Sequence, residues 1–453
     1  MSEAVIRDLG DGLVLRRATP ADDEALVDFN ARVHSDVGWE TPDEPIGAWV
    51  HDLMTQPHPT FDVGDFLIVE DTAQGKIVSS SNLISQTWSY DGVRFGVGRP
   101  ELVGTHPDYR RRGLVRAQFE VLHRWSAERG HQVEAITGVP WYYRQFGYEM
   151  ALDLGGSRSG SLTSIPKLKE NESEPYRVRV ATSRDLDFVA EVAALGQQRS
   201  LVSCVRDRAL WRYALDGQSV ENVQARALRV IETPDGEPVG FVAHALKLWG
   251  NTLFLDLYEL KPGVSWWRVT PSVLRYLKET GASYEAHLPS EMDRSFERVA
   301  FGLGRDHPVY AVVTDWLPKT REPYAWYIRV SDLPAFLRLI APILKARLAG
   351  SILVGYSGTL KLDFYRAGIR VNFEQGAVTE IAPWPWGNES DHERRSGGAF
   401  VRFPDLTFLQ LLFGYRSLDE LQHAHADCGG NLEGRLLVAA LFPKQSSTVW
   451  PVS

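Results

Sequence analysis

Cysteine is scarce in this sequence. Its 453 residues include only two, Cys204 and Cys428, which lie far apart along the chain. Two distant cysteines give neither a disulfide framework nor the closely spaced pairs that are typical of zinc sites. The sequence therefore predicts no metal and favours a reducing, cytoplasmic environment.

Long apolar runs are also missing. No stretch approaches the ~20 uncharged apolar residues that a membrane-spanning helix needs. The most apolar segment, Phe336 to Tyr356, is interrupted by Arg338, Lys345 and Arg347. Met1 to Gly10 carries charges and no apolar core, which is unlike a signal peptide. We therefore expect no membrane span and no secretion signal.

The chain has no excess of positive charge. Its 58 Asp and Glu residues outnumber its 49 Lys and Arg residues, and the formal net charge is −9. Binding to nucleic acid requires clustered basic residues opposite the phosphates, so a nucleic-acid partner is not expected. A negative field would instead favour the approach of small cationic molecules.

A faint internal repeat is present. Leu13 to Asp22 and Tyr176 to Asp185 each read as a short alternating strand, then Ala-Thr, then an acid three residues after the threonine. A threonine with an acid at this spacing is typical of the start of a helix. The repeat therefore indicates two equivalent strand-to-helix connections.

A Phe-Gly pair also recurs, at Phe146 and at Phe301, at similar distances beyond the two strand-helix starts. The repeated strand-to-helix start and the repeated Phe-Gly pair together predict two copies of one α/β domain, at 1–155 and 176–318. The polar segment Ser157 to Glu174 is expected to link them.

The last third of the chain, 319–453, has a different order of predicted strands and helices. We predict a helix, three strands joined by tight glycine-containing turns, an exposed loop over Gly387–Gly398 and then further helices. The predicted strands are Ser351–Tyr356, Thr359–Tyr365 and Ile369–Phe373, and the predicted helices are Leu333–Leu348, Asp405–Gly414, Ser417–Ala424 and Leu432–Phe442. This pattern is typical of a separate α+β domain.

An arginine-rich loop lies between a predicted strand and a predicted helix. The strand ends near Thr105, the loop runs from Arg110 to Gly113, and the helix covers Leu114 to Glu128 with Gly130 as its stop. Free backbone N–H groups at a helix start bind phosphate oxygens, and a glycine lets the backbone approach closely. The alternative is a surface arginine cluster that caps a helix.

The wider stretch Val103–Val115 resembles the acetyl-CoA loop of the GNAT N-acetyltransferase superfamily, Arg/Gln-x-x-Gly-x-Gly/Ala. Arg110 and Gly113 match, whereas Val115 stands where a small residue is usual. The resemblance implies acetyl-CoA as cosubstrate, with its pantetheine arm along a splayed strand. The residues implied to contact it are Val103, Gly104, Thr105, Arg111, Arg112, Gly113, Leu114, Val115 and Arg116.

The segment Pro140 to Tyr148 resembles the GNAT segment Tyr-x-x-Phe-Gly-Phe/Tyr, whose leading tyrosine protonates the departing CoA thiolate. The matching residue is Tyr143. A phenol of pKa near ~10 is suited to protonate a thiolate whose conjugate acid has a pKa of about 8.5. The alternative, a half-buried packing residue, is the expectation for Tyr142 and Tyr148.

The second copy lacks the loop, because its corresponding turn, Leu260 to Ser265, contains no arginine. Two GNAT-like units, only the first with the motif, followed by an α+β domain ending in Leu441-Phe442-Pro443, resemble the enhanced-intracellular-survival (Eis) acetyltransferases. The resemblance implies an α/β (α+β) chain of tandem GNAT folds, with central mixed sheets flanked by helices, and a C-terminal sterol-carrier-protein-like domain.

The Eis resemblance also implies an activity. It predicts an N-acetyltransferase that acts on a primary amine of a small molecule, such as an aminoglycoside, a polyamine-like compound or a lysine. It further implies a homo-oligomer, a hexamer. A non-catalytic protein or scaffold that holds CoA or a lipid is the alternative function.

The Eis resemblance implies that the C-terminal carboxylate, here that of Ser453, is the general base in a direct transfer within a ternary complex. The Trp450–Ser453 ending departs from the family, which commonly ends in an aromatic residue. Glu101 is a second candidate base, although a solvated charge at a strand end also explains it. His106 is expected to be a turn residue.

Overall fold

The computed structural model describes residues 5–286, 295–384 and 397–452, which form strands and helices in mixed order. The strands are β1 (Val5–Gly10), β2 (Leu13–Arg17), β3 (Phe66–Asp71), β4 (Lys76–Tyr90), β5 (Val93–Thr105), β6 (Val133–Ile136), β7 (Glu149–Leu154), β8 (Ser157–Ser161), β9 (Arg177–Val180), β10 (Val202–Val205), β11 (Arg226–Glu232), β12 (Pro238–Ala245), β13 (Thr252–Leu260), β14 (Arg298–Phe301), β15 (Lys319–Arg321), β16 (Tyr324–Val330), β17 (Gly358–Asp363), β18 (Gly368–Glu374), β19 (Ala377–Pro383), β20 (Ala399–Arg402) and β21 (Gly429–Gly430). The helices are α1 (Asp23–Val33), α2 (Glu44–Thr55), α3 (Leu114–Glu128), α4 (Leu186–Gln197), α5 (Arg208–Asp216), α6 (Trp266–Ala286), α7 (Leu333–Leu339), α8 (Ala341–Ala349), α9 (Phe408–Leu412), α10 (Leu418–Ala424) and α11 (Leu432–Leu441).

The first sheet has the order β1-β2-β3-β4-β5-β6-β16-β7, and β10 pairs with the far part of β4. Strands β5 and β6 are parallel, and they pair only where Val97 and Gly98 face Val133 and Glu134. Because β5 continues to Thr105 beyond that short pairing, the two strands diverge and leave an opening in the sheet.

Helices cover both faces of the first sheet. On one face, Val121 and Trp125 of α3 pack with Leu67 and Leu83 of the sheet. On the other face, α1 and α2 pack against the strands through apolar residues that alternate with the first set, such as Phe66 and Ile68. Alternate residues of a strand point to opposite faces, so both faces of β3 are buried and its sequence is almost continuously apolar.

The second sheet has the order β15-β8-β14-β13-β12-β11-β9, and the third has the order β19-β18-β17-β20-β21. In the second sheet, β13 and β14 are parallel and pair from Thr252 opposite Arg298 to Leu255 opposite Phe301. The predicted α/β (α+β) class, with mixed sheets flanked by helices, is confirmed.

The sequence repeat corresponds to a repeated ion cluster. Arg16 pairs with Asp22 and Glu70 in the first half. Arg179 pairs in the same way with Asp185 and Glu232 in the second half. The acid also accepts a hydrogen bond from the threonine N–H three residues earlier, 2.7 Å away in both copies. The same side chains therefore connect a strand to a helix in both halves.

The structure differs from the predicted boundaries at β8 and β16. Ser157–Ser161, expected to belong to the linker, forms β8 and pairs with β14 and β15 of the second sheet. Tyr324–Val330, assigned from sequence to the last third, forms β16 and lies between β6 and β7 of the first sheet. These pairings join residues far apart in the chain, which local sequence patterns do not report.

Two further predictions were wrong. Ser351–Tyr356 is a turn region and no strand, because β17 is already paired on both edges, by β18 and β20, and Ile352 and Val354 stay exposed. The two Phe-Gly pairs are not equivalent, since Phe301 ends strand β14 whereas Phe146 belongs to a 3-10 turn beyond β6. The predicted loop Gly387–Gly398 lies almost wholly outside the described residues.

In the described ranges, no helix is long and apolar enough to cross a membrane. Over the same part of the chain, no group of three or more His, Cys, Asp or Glu side chains is arranged to hold a metal ion.

Candidate active site

The opening between β5 and β6 is a cavity of about 870 Å³. The end of β5, the start of α3, the segment after β6 and the end of α1 form its walls. All nine residues predicted to contact the cofactor line it, together with Tyr143. The structure thus brings the two sequence motifs together in one cavity, although they lie about thirty residues apart.

The arginine-rich loop lines the cavity at the start of α3. Gly113 has a φ of 77° and is the N-cap of α3, while Arg111 has a φ of 64°. The N–H groups in the first turn of a helix have no partner within that helix, so those of Leu114 to Arg116 are free to meet an anion at this end. Val115 packs among the aromatic residues around Tyr143, so its methyl groups extend that apolar cluster.

The part of β5 that lines the cavity contains a β-bulge. Ser80 pairs with Gly104 and Asn82 pairs with Glu101, so β5 has one residue more than β4 in this interval. The extra residue, Leu102, has a φ of 52°. A bulge turns backbone N–H and C=O groups away from the regular strand-to-strand hydrogen bonds, so β5 has polar groups that can form hydrogen bonds with a ligand. Gly104 is required there, because a Cβ would lie 2.5 Å from Val33.

Tyr143 also lines the cavity, in the 3-10 turn Tyr142–Phe146. Its side chain is 6% exposed and its ring contacts those of Phe119, Tyr142 and Tyr327. Burial raises the pKa of Tyr143 well above its ordinary value, and the nearby Glu101 carboxylate raises it further. The phenol therefore holds its proton at neutral pH and can donate it.

Residues 16–151 match the family described as acetyltransferase (GNAT) domain. This chain carries a GNAT acetyltransferase domain. The match makes this part of the chain an acetyltransferase domain, and the cosubstrate of the GNAT fold is acetyl-CoA.

Solved structures extend the likeness of fold beyond the GNAT domain. A probable N-acyltransferase of unknown function from Enterococcus faecalis V583 is 12% identical, with a TM-score of 0.64 over 96% of this chain and 97% of that chain. A GCN5-related N-acetyltransferase from Kribbella flavida is 18% identical, with a TM-score of 0.62 over 96% and 97%. Eis1 from Mycobacterium abscessus is 15% identical, with a TM-score of 0.55 over 97% and 100%.

No curated protein matches this chain. The similarity to the solved structures, at 12–18% identity, describes the fold of the chain.

Two residues that the sequence did not single out hold Tyr143 in the GNAT domain. Gly138 has a φ of 148°, and a Cβ there would lie 2.8 Å from the Tyr143 ring. Tyr327, on the inserted strand β16, contacts the Tyr143 ring and donates a hydrogen bond from its hydroxyl to the Val139 carbonyl, 3.0 Å away. Gly138 could have been suspected from the sequence, but no residue near Tyr327 in the sequence indicates that it contacts Tyr143.

Glu101 is buried, which corrects the expectation of a solvated charge at a strand end. Strand β5 continues past it to Thr105, and its carboxylate lies 2.5 Å from the Arg99 guanidinium. Burial raises the pKa of Glu101, and Arg99 offsets part of that rise. A carboxyl group with a raised pKa beside the cavity is a candidate proton acceptor.

The C-terminal tail runs beside the GNAT domain. Thr448 donates a backbone hydrogen bond to the Val202 carbonyl of β10, and the Val202 N–H donates to Ser447 Oγ. Val452 is buried, and its carbonyl accepts a hydrogen bond from Gln86 Nε2 of β4, 3.1 Å away. Ser453, the predicted base, lies outside the described residues.

His106 is a turn residue, as expected. Its Nδ1 accepts a hydrogen bond from the Asp108 N–H at the start of the turn Pro107–Tyr109, and its ring contacts that of Trp39. It does not line the cavity, whereas His34, at the end of α1, does.

Proposed function

We propose that this protein transfers the acetyl group of acetyl-CoA to the primary amine of a small molecule, such as an aminoglycoside, a polyamine-like compound or a lysine. The observation that carries the proposal is one cavity lined both by a helix start with free N–H groups and by a protonated, buried tyrosine. Such an arrangement suits a long cosubstrate with an anionic end and a reactive thioester end.

The cosubstrate would lie along the end of β5. Its pyrophosphate would bind the free N–H groups of Leu114 to Arg116, with Arg111 and Arg112 adding charge. Its pantetheine arm would contact the backbone of Val103, Gly104 and Thr105. This assignment is supported by the glycine at position 104, where a side chain would collide with α1.

The transfer would be direct, within a ternary complex. The neutral amine attacks the thioester carbonyl, and backbone N–H groups near the Leu102 bulge stabilise the oxyanion. The carbon–sulfur bond then breaks, and Tyr143 gives its proton to the departing sulfur. The support for this role is that Tyr143 lines the cavity and keeps its proton at neutral pH, so the phenol is available as a donor.

An ammonium substrate must lose one proton before it can attack, and we propose the Ser453 carboxylate as the first acceptor. The support is the position of Val452, whose carbonyl is held by Gln86. Gln86 lies two residues from Ile84, which pairs with Arg99. Alternate strand residues share a face, so Val452 is held on the face that carries Arg99 and Glu101. Glu101 is the second candidate for this step.

The test uses purified protein, acetyl-CoA and four amines: kanamycin, spermidine, a lysine peptide and tryptamine. We expect a mass increase of one acetyl group on at least one amine. Tyr143→Phe should lower kcat by about 100-fold while acetyl-CoA still binds. An unchanged kcat would exclude Tyr143 as the acid, and binding without acetylation of any of the four amines would contradict the proposed substrate class.

Deletion of Trp450–Ser453 tests the base. It should lower kcat and leave the Kd for acetyl-CoA unchanged, because the tail lies away from the arginine-rich loop. Glu101→Gln is the matched comparison. kcat is measured against pH for both variants, and the variant whose kcat no longer falls at low pH identifies the first proton acceptor.

The remaining parts of the proposal concern the whole chain. We propose a cytoplasmic homo-oligomer, a hexamer, with a sterol-carrier-protein-like last domain. The Eis-like fold over nearly the whole chain supports this arrangement. The mass of the purified protein by light scattering tests the hexamer.

A further inference from the structure

The second half contains a cleft at the place that corresponds to the acetyl-CoA cavity. The end of α4, strand β13 and the segment after β14 form its walls, as the end of α1, strand β5 and the segment after β6 do in the first half. This second cleft encloses only about 70 Å³. Its remaining side is lined by the last segment of the chain, so the cleft and the C-terminus of the protein meet.

The C-terminal tail, residues 445–452, runs along this cleft. Every second residue of the tail lines it, namely Ser446, Thr448 and Trp450. An extended segment directs alternate side chains to opposite sides. Val449, from the other set, packs against the apolar core that contains residues of the first and third sheets. The tail therefore has one face on the second half and the other on the rest of the molecule.

A glycine makes room for the tail beside the cleft. Gly304 has a φ of 86°, and a Cβ there would lie 2.5 Å from Thr448 Oγ1. Thr448 also forms a parallel bridge with Ser203 of β10, and its N–H donates to the Val202 carbonyl, 3.2 Å away. This backbone pairing sets the register of the tail, and it brings Trp450, two residues further on, to the end of β10.

Arg206 connects the cleft to the tail. Its guanidinium carbon lies 4.4 Å from the centroid of the Trp211 ring on α5 and 5.1 Å from the centroid of the Trp450 ring. Its Nε and Nη1 are buried and have no hydrogen-bond partner among the described residues. A cation is attracted to the face of an aromatic ring, most strongly where water is excluded. The two indole rings therefore stabilise the guanidinium, and this contact attaches the tail to the second half.

Beyond Trp450 the tail contacts both halves. Val452 is buried and packs with Leu210 and Tyr213 of α5. Its carbonyl accepts the hydrogen bond from Gln86 Nε2 on β4 of the first half. One residue follows Val452 in the sequence. The contacts that hold Trp450 and Val452 therefore limit where the terminal carboxylate can lie.

We propose that the cleft of the second half is the seat of the C-terminal tail, and that Arg206 is a positioning residue for acetyl transfer which acts through Trp450. The inference rests on the proposed function, in which the terminal carboxylate accepts a proton from the amine. The described residues that line the acetyl-CoA cavity do not include Arg206. A misplacement of about 1 Å can lower a rate about 100-fold, so the hold on the tail should affect kcat and leave acetyl-CoA binding unchanged.

Carboxypeptidase Y measures how firmly the tail is held, without any acetyl transfer. Release of Ser453 from the full chain is followed by intact mass, and it requires the buried Val452 to detach. Arg206→Leu should speed this release by about tenfold or more, because it removes the contact with the Trp450 ring. The substitution leaves no acceptor of Nε or Nη1 unpaired, so the chain should still fold. Arg212→Leu, which removes an exposed arginine of α5, is the matched control and should keep the natural rate.

Acetyl transfer shows whether this hold serves the chemistry. For the fastest of the four amines, Arg206→Leu should lower kcat by about tenfold and leave the Kd for acetyl-CoA unchanged. Trp450→Leu removes the same contact from the side of the tail. Two substitutions that break one contact are not additive, so the double variant should lose no more activity than the weaker of the two single variants.

The outcomes separate this proposal from the proposed function. Release of Ser453 from Arg206→Leu at the natural rate overturns the anchor. Faster release with an unchanged kcat overturns the positioning role, and so do losses that multiply in the double variant. If the natural chain acetylates no amine, the proposed function fails, and the release rates still decide whether Arg206 holds the tail. Should Arg206→Leu not fold, Trp450→Leu replaces it, and unchanged release then contradicts the proposal.

Discussion

The two halves of the chain share a sheet framework but differ where their two parallel strands pair. In the first half, β5 and β6 pair over two residues and then diverge around a cavity of about 870 Å³. In the second half, β13 and β14 pair over the whole of β14, and the space beside β13 shrinks to about 70 Å³. A short parallel pairing thus opens the sheet, and a longer one closes it.

At this point the glycine and the larger residue exchange places between strand and helix in the two halves. In the first half a glycine on the strand, Gly104, lies against Val33 at the end of its helix. In the second half the helix contributes Gly196, and the strand contributes Glu259, whose carboxylate fills the space and pairs with Arg199. A buried carboxylate in this position would repel phosphate and thioester oxygens. The second half is therefore closed both sterically and electrostatically.

The two tyrosines beyond the parallel strands differ in the same way. Tyr143 contacts other rings and faces the cavity, while Tyr310 of the second half donates from its hydroxyl to the Phe301 carbonyl and accepts from the Leu303 N–H. A hydroxyl with both hydrogen-bonding capacities used by backbone has no proton to give. The second tyrosine has a structural role, and the comparison predicts that proton donation needs an unoccupied hydroxyl in addition to a tyrosine.

The largest expected effect comes from making the first half like the second. Gly104→Glu should raise the Kd for acetyl-CoA by at least about 100-fold, because a side chain meets Val33 and a carboxylate enters the cosubstrate path. Isothermal calorimetry measures the Kd. The matched control, Glu259→Gly, should leave one acetyl-CoA bound per chain, and a second bound molecule would show that Glu259 alone closes the other cleft.

A smaller effect is expected from the hydroxyl that holds the tyrosine turn. Tyr327→Phe removes the hydrogen bond to Val139 and should lower kcat by about threefold to tenfold, with a loss of about 1 kcal/mol in the free energy of unfolding. Tyr310→Phe should cost a similar amount of stability and leave kcat unchanged. Equal effects of the two variants on kcat would contradict the distinction between the two turns.

The smallest effect is expected at the repeated ion clusters. The hydrogen bonds from Arg179 lower the pKa of Asp185 to about 2, although burial opposes them. A depressed pKa in the folded state stabilises the fold above the ordinary value of 3.8, and this stability is lost as the pH falls toward 2. Asp185→Asn should therefore be less stable than the natural chain near neutral pH, and urea unfolding should show the difference vanish over that acid range.

Local features of the active site could be predicted from sequence. Helix α3 begins at Leu114 and ends at Glu128 as expected, because Gly113 and Gly130, with φ values of 77° and 71°, define its ends. The arginine-rich loop and Tyr143 were found because each motif is short and continuous. Their meeting in one cavity is consistent with the order of strand, loop and helix around them.

Features that depend on distant residues could not be predicted. Tyr327 is 184 residues from Tyr143, and no periodicity relates the two. Glu101 looked like a solvated charge because its neighbours in sequence do not reveal that Arg99 and the helices would enclose it. His34 follows a helix in a polar stretch, and it reaches the cavity only after α1 packs on the sheet.

Strand β16 has a consequence for the order in which this protein can be completed. Strands β6 and β7 flank β16 and do not pair with each other, so each has an open edge until residues 324–330 have been synthesised. Open edges recruit other strands, and a chain released before this point would be prone to aggregate. The acetyl-transferring half is therefore finished only after the ribosome has translated the whole second half, and that half is present when the last strand of the first is added.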